Sequence, residues 1–178
     1  MLNTLITSKT RLRLLLKFFL NSNTTSYLRD LESEFGESSN AIRLELNRLE
    51  QAGILTSETQ GNRKYFRANI THPLFCDLQN ILRKYTGIDE VVERVVRKLG
   101  NVQSAWLTGS MARGLDEGII DIILVSEHLD RTYLASLTEK AEQLIHRKIR
   151  YLVLTPAETP NFISRKEPCV LIWGNEEK

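Results

Sequence analysis

The stretch from Val102 to Val125 constrains the fold more than any other part of the chain. An apolar run, Val102–Trp106 (VQSAW), leads into Gly109-Ser110 and then into GSMARGLDEGIIDIILV. A strand ends at a Gly-Ser turn, and a second strand, Ile119–Ser126, returns carrying Asp121. Glycine permits close approach of a ligand to the backbone, and hydroxyl and N–H groups in such a turn can donate to phosphate oxygens. Leu134, Leu137, Ala141, Leu144 and Ile145 then mark a helix. Ile149–Leu154 and Val170–Trp173 read as two further strands. Strands alternating with helical segments predict an α/β unit.

The first half of the chain has a different texture. Leu12, Leu15, Leu16 and Phe19 predict a helix over Thr10–Leu20. A second helix is expected from Ser26 to Phe35, ended by Gly36, and a third from Ser38-Ser39-Asn40 to Ala52, stopped by Gly53. Ile54–Glu58 and Lys64–Ala68 alternate as two strands around the turn Gln60-Gly61-Asn62-Arg63. After His72-Pro73, apolar stripes predict helices over Leu74–Tyr85 and from Asp89 to Leu99. The expected division is a domain at 1–72, linking or dimer-forming helices at 73–100 and a second domain at 101–178.

With 178 residues, 42% hydrophobic and 26% charged, the composition is that of a globular protein of one or two domains. Apolar runs fall far short of the roughly 20 residues a spanning helix needs, and no secretory leader is visible, so a cytoplasmic, membrane-free protein is expected. Cys76 and Cys169 form no metal-like or redox-like pair and read as buried thiols in a reducing compartment. His72, His128 and His146 are dispersed, so no metal site is expected from them.

The net charge of +2 is unevenly placed. Residues 1–72 hold ten Lys/Arg against seven Asp/Glu, giving +3 there and −1 in the rest. Asn40, Arg43 and Asn47, spaced three and four apart, share one face of the third helix, with side chains able to reach base edges. Ser38 and Ser39 stand at that helix's start, where hydroxyls can meet phosphate. Arg63, Lys64 and Arg67 lie at the hairpin tip and return strand, interleaved with Tyr65 and Phe66.

Helix, helix, third helix and basic hairpin resemble a winged helix-turn-helix, and Leu49–Leu55 (LEQAGIL) resembles the junction between recognition helix and wing in arsenical-repressor and multiple-antibiotic-repressor regulators. The resemblance implies a dimer on duplex DNA, with the third helix in the major groove and the wing on the backbone. It also implies that the helix after the wing makes the dimer, with Leu74–Tyr85 the candidate. Gly109–Val125 resembles the minimal nucleotidyltransferases of the DNA polymerase beta superfamily: Gly109, Ser110, Ala112, Arg113 and Gly114 match, and Asp121 falls at the first aspartate. That resemblance implies phosphate contacts from Gly109, Ser110 and Arg113 and a Mg²⁺ site of several carboxylates. The second aspartate position is Ile123, the serine before the first is Ile120, and the strand expected to supply a third acid carries Arg150.

The expected fold class is therefore α+β: an N-terminal winged helix-turn-helix, a helical link and a C-terminal α/β nucleotidyltransferase-like domain with a small mixed sheet. The expected function is a homodimeric DNA-binding transcriptional regulator of prokaryotic type. Gly109, Ser110, Arg113 and Asp121 are read as a vestigial nucleotide site in a domain that serves as sensor, dimerisation or docking part, with a small-molecule or protein effector as a further candidate partner. On the count of carboxylates, no enzyme, no catalytic residue, no metal and no cofactor are expected. The alternatives are an active nucleotidyl- or adenylyltransferase of toxin–antitoxin type and a protein-interaction module without a DNA role.

Overall fold

The computed structural model describes residues 2–163 and 168–174. It divides into two compact units, Met1–Leu82 and Arg83–Lys178.

The first unit opens with α1 (Leu2–Leu5) and α2 (Lys9–Leu20), whose N-cap Ser8 accepts from the Arg11 N–H at 3.2 Å. A two-residue strand β1 (Ser26–Tyr27) precedes α3 (Leu28–Phe35) and α4 (Ser39–Gln51). The hairpin β2 (Leu55–Gln60) and β3 (Arg63–Ala68) follows, then α5 (Phe75–Thr86), within which the unit boundary falls. The sheet has strand order β1-β3-β2 and is antiparallel throughout. Ser26 and Tyr27, expected in the second helix, are strand instead, because they pair with Phe66 and Tyr65 of β3. A tertiary ladder has overridden local helix pattern there. Gly36 takes the left-handed conformation that ends α3, with φ +62°, and its N–H returns to the Glu32 carbonyl.

Leu14, Leu16, Phe18 and Phe19 of α2 are buried against Leu31 of α3, Ile42 and Leu46 of α4, and Leu55 and Phe66 of the hairpin. Each such side chain contributes roughly 1.5–3 kcal/mol on leaving water. Ion pairs frame this core. Lys17 Nζ lies 2.5 Å from Glu34 Oε2, and Arg13 Nη1 donates to Glu37 at 2.7 Å. Buried Glu45 joins Arg11 Nε at 2.8 Å and Arg48 Nη1 at 3.1 Å. Burial would raise the Glu45 pKa, but hydrogen bonds from Arg11 and Ser8 and the nearby cations hold it below its ordinary value. The contribution of Glu45 to stability is therefore present above the unfolded value of about 4.3 and is lost as pH falls through the lower folded value. Thermal melts across that window should fall more steeply in wild type than in Glu45→Gln, which is already less stable at neutral pH. Parallel curves would remove Glu45 from the acid response.

The second unit begins in the last residues of α5. Gly87, with φ +82°, turns the chain into α6 (Ile88–Val91), which runs through one π-helical stretch (Val92–Val96) into α7 (Arg97–Leu99). A Cβ on Gly87 would touch Ile145 Cβ at 3.1 Å, so the turn also needs the missing side chain. Val91, Val92, Val95 and Val96 are buried. The helices set apart at 73–100 are thus shared between the two units. There follow β4 (Ser104–Thr108), α8 (Gly109–Ala112), β5 (Ile119–Val125), α9 (Arg131–Ile145), β6 (Lys148–Leu154), α10 (Thr159–Ile163) and β7 (Val170–Gly174). The sheet order is β6-β5-β4-β7; β5 and β6 are parallel and the other pairs antiparallel. Gly109-Ser110, expected as a plain turn, opens the single helical turn α8. Among the described residues, no helix is long and apolar enough to cross a membrane.

Candidate functional sites

In the first unit, α4 is positioned by its apolar side. Ile42, Leu46 and Leu49 are buried, and the 3.6-residue period therefore turns Asn40, Arg43, Leu44 and Asn47 outward, where all four are exposed. Ser38 caps the helix: its Oγ accepts the Ala41 N–H at 3.4 Å. Ser39, the first residue of the helix, is half-buried.

The hairpin turns at Gly61, with φ +60°, and pairs Gln60 with Arg63. Strand alternation separates its basic residues. Lys64 lies on the face of buried Phe66 and Ala68, whereas Arg63, Tyr65 and Arg67 share the other. Lys64 Nζ is 2.7 Å from Glu50 Oε2, and Glu50 also accepts the Ser57 hydroxyl. The Lys64 and then the Ser57 hydrogen bond hold Glu50 below its usual carboxylate range. Lys64 is thus tied to α4. The Arg63 guanidinium stacks over the Tyr27 ring at 4.8 Å, and Tyr27 meets Tyr65 with centroids 5.5 Å apart. Arg43 and Arg67 are exposed and carry no ion pair among the described residues.

A groove of about 460 Å³ lies between these elements, lined by Arg29 of α3, Arg43 and Asn47 of α4, and Asn62, Arg63 and Lys64 of the hairpin, over Tyr27, Leu28, Leu46 and Phe66. Four cations line it and no carboxylate does. Arg67, Asn40, Ser38 and Ser39 lie outside that lining. The sequence reading missed Arg29, Leu44 and Asn62. The position of Arg29 in the first turn of α3, the helix that precedes α4, was the available signal; the half-exposed Leu44, between Arg43 and Asn47, breaks the apolar period of α4.

In the second unit, parallel pairing sets Asp121 of β5 beside Arg150 of β6 and antiparallel pairing sets it beside Thr108 of β4. Arg150 donates through Nε to Asp121 Oδ1 at 2.6 Å and through Nη2 to Oδ2 at 2.8 Å, a two-pronged pair. That carboxylate first, by its hydrogen bond, raises the Arg150 pKa. Gly109 has φ +67°, and a Cβ there would collide with Asp121 Oδ2 and reach its Cγ at 3.1 Å. Ser110 Oγ donates to Glu117 Oε2 at 2.7 Å. Asp116 is clasped by both Arg147 amino groups and accepts the Gly118 N–H at 3.2 Å. Burial alone would raise Asp116, but Arg147 outweighs it and holds the carboxyl below its ordinary value. Arg113 is half-buried at the end of α8.

Ile123, two residues beyond Asp121 on the same strand face, is buried with Val125 and Leu154 against Trp106 and Cys169. A pocket of about 580 Å³ extends from Thr108, Gly109 and Asp121 over Ile123 and Arg150 to Tyr151, Leu152, Phe162 and Cys169. Those last four residues were not legible as a site: Cys169 read as a plain buried thiol and Phe162 lies in a helix of only five residues. No group of three His, Cys, Asp or Glu occurs among the described residues that could hold a metal ion. The Mg²⁺ arrangement implied by the superfamily resemblance does not fit these side chains: the one aspartate on the strand is engaged by a cation, and its i+2 partner is a core isoleucine.

No protein-family model matches the chain, and no curated protein matches it. Among solved structures it is similar to one described as "a putative nucleotidyltransferase" from Sulfolobus solfataricus, with 26% identity over 54% of this chain and 85% of that one and a TM-score of 0.39. It is also similar to AF1382 from Archaeoglobus fulgidus, with 18% identity over 52% of this chain and 98% of that one and a TM-score of 0.38. The expectation that the chain is not an enzyme conflicts with the first of these similarities and is withdrawn. It rested on counting carboxylates at one strand, and such a count does not establish that a chain lacks catalysis.

Proposed function

We propose that the first unit is a winged helix-turn-helix that binds duplex DNA, that the chain regulates transcription as a homodimer, and that the second unit is a nucleotide-binding unit of nucleotidyltransferase type. One observation carries the DNA reading: cations from α3, α4 and the hairpin converge on a single groove that no carboxylate lines. Phosphate is the ligand such a groove attracts most strongly. A helix of ordinary diameter fits the major groove, where Arg43 can fork onto guanine and Asn40 or Asn47 onto adenine. Arg63 and Arg67 then serve the backbone from the wing, and Ser38 and Ser39 offer hydroxyls to phosphate at the start of α4. Lys64 lines the same groove with its charge partly met by Glu50 at 2.7 Å, so its share of the phosphate attraction is the smallest of the four.

The test is binding of the intact chain to duplex DNA across a salt series. Arg29→Ala is expected to lower the slope of log K against log salt by about 0.9, the value of one phosphate contact. Lys64→Ala should leave the slope nearly unchanged. An unchanged slope in Arg29→Ala would take that arginine out of the interface.

Nucleotidyl transfer by the second unit is the second reading, favoured by Asp121 held against Gly109 beside Ser110. Incubation with labelled ATP, Mg²⁺ and candidate acceptors tests it. Label transfer that is lost in Asp121→Asn supports transfer; no transfer to any acceptor counts against it.

A further inference from the structure

We infer that the pocket beside Gly109 takes a phosphate-bearing ligand without a divalent ion, with Arg150 acting as the resident counter-charge. This rests on the proposal that the second unit binds a nucleotide. Both oxygens of Asp121 are engaged by the Arg150 fork, at 2.6 and 2.8 Å. A divalent cation placed on Asp121 would have to displace a guanidinium and then sit within a few ångströms of it. Of the nearby carboxylates, Asp116 is clasped by Arg147, and exposed Glu117 accepts the Ser110 hydroxyl. Ile123, 3% exposed in its apolar cluster, closes the remaining position.

Arg150 is built for the alternative. Its side chain is 67% exposed whereas Asp121 is 17% exposed, so the carboxylate anchors the guanidinium from below and leaves it open to solvent. Guanidinium has five N–H donors, and the fork to Asp121 uses two; the others make no hydrogen bond to the protein among the described residues. A guanidinium fixed by a carboxylate and still offering donors matches a phosphate. Ile123, Leu152 and Phe162 give the pocket an apolar wall, and its volume suits a small ligand. An anionic group at Arg150 and a flat base along that wall satisfy both ends.

Equilibrium dialysis of labelled ATP against the full chain tests this, in EDTA and in Mg²⁺. Wild type is expected to bind equally in both. Arg150→Gln is expected to weaken metal-free binding roughly ten- to a hundredfold, the scale of a lost charged hydrogen bond, and Arg150→Lys to fall between. Binding that appears only with Mg²⁺, or that Arg150→Gln leaves intact, overturns the inference while the nucleotide reading stands. No ATP binding in either condition overturns both. The wild-type comparison needs no variant, so a misfolded Arg150→Gln does not blur the outcome.

Discussion

Replacing Arg43 by alanine is expected to weaken binding to the cognate duplex by roughly 1–3 kcal/mol, or about five- to 150-fold, and to relax the choice of one base pair. The reasons lie in its surroundings. Arg43 is exposed on α4, has no ion pair among the described residues and lines the groove beside Asn47. Truncating it removes no buried packing, so stability should change little. Random duplex should be affected much less than cognate duplex if Arg43 reads a base, because a phosphate contact weakens all sequences alike. Equal loss on both would reassign Arg43 to the backbone. No loss on either would take the outward face of α4 out of the interface.

Gly109→Ala is expected to destabilise the second unit by roughly 1–3 kcal/mol from left-handed strain alone, and by more because the new Cβ meets a carboxylate. That carboxylate is Asp121, so the same substitution should push it away from Arg150. Gly118→Ala separates the two causes. Gly118 has φ +76° but nothing within 4 Å of an added Cβ, so only the conformational cost applies there. Calorimetric melts should therefore show a larger loss for Gly109→Ala than for Gly118→Ala. Equal losses would mean that the approach of Gly109 to Asp121 has no energetic consequence.

Much of the local structure was legible because the chain signals it locally. The apolar period of Thr10–Leu20 and the glycines at 36 and 53 marked helices that appear within a residue or two of the expected bounds. What failed depended on distant partners. Nothing near Ser26 announces that it pairs with Phe66. The partner of Lys64 was equally hidden: the strand alternation that buries Phe66 sets Lys64 beside Glu50, while it still lines the groove. The walls of the second pocket come from β6, α10 and Cys169 just before β7, whose meeting is a fact of topology rather than pattern. By contrast, Arg150 and Asp121 could be paired on paper once two adjacent parallel strands were read, because each is the third residue of its strand. The withdrawn expectation of no catalysis shows the limit of reading function from a missing motif position.

The most direct test of the DNA-binding reading is a salt titration of the intact chain on a fluorescent duplex, starting at about 50 mM. The expected result is binding at low salt whose log K falls linearly with log salt, with a shallower slope when Arg63 and Arg67 are replaced together by alanine. No binding to duplex at low salt, or binding with no salt dependence, would contradict a cationic groove built for phosphate.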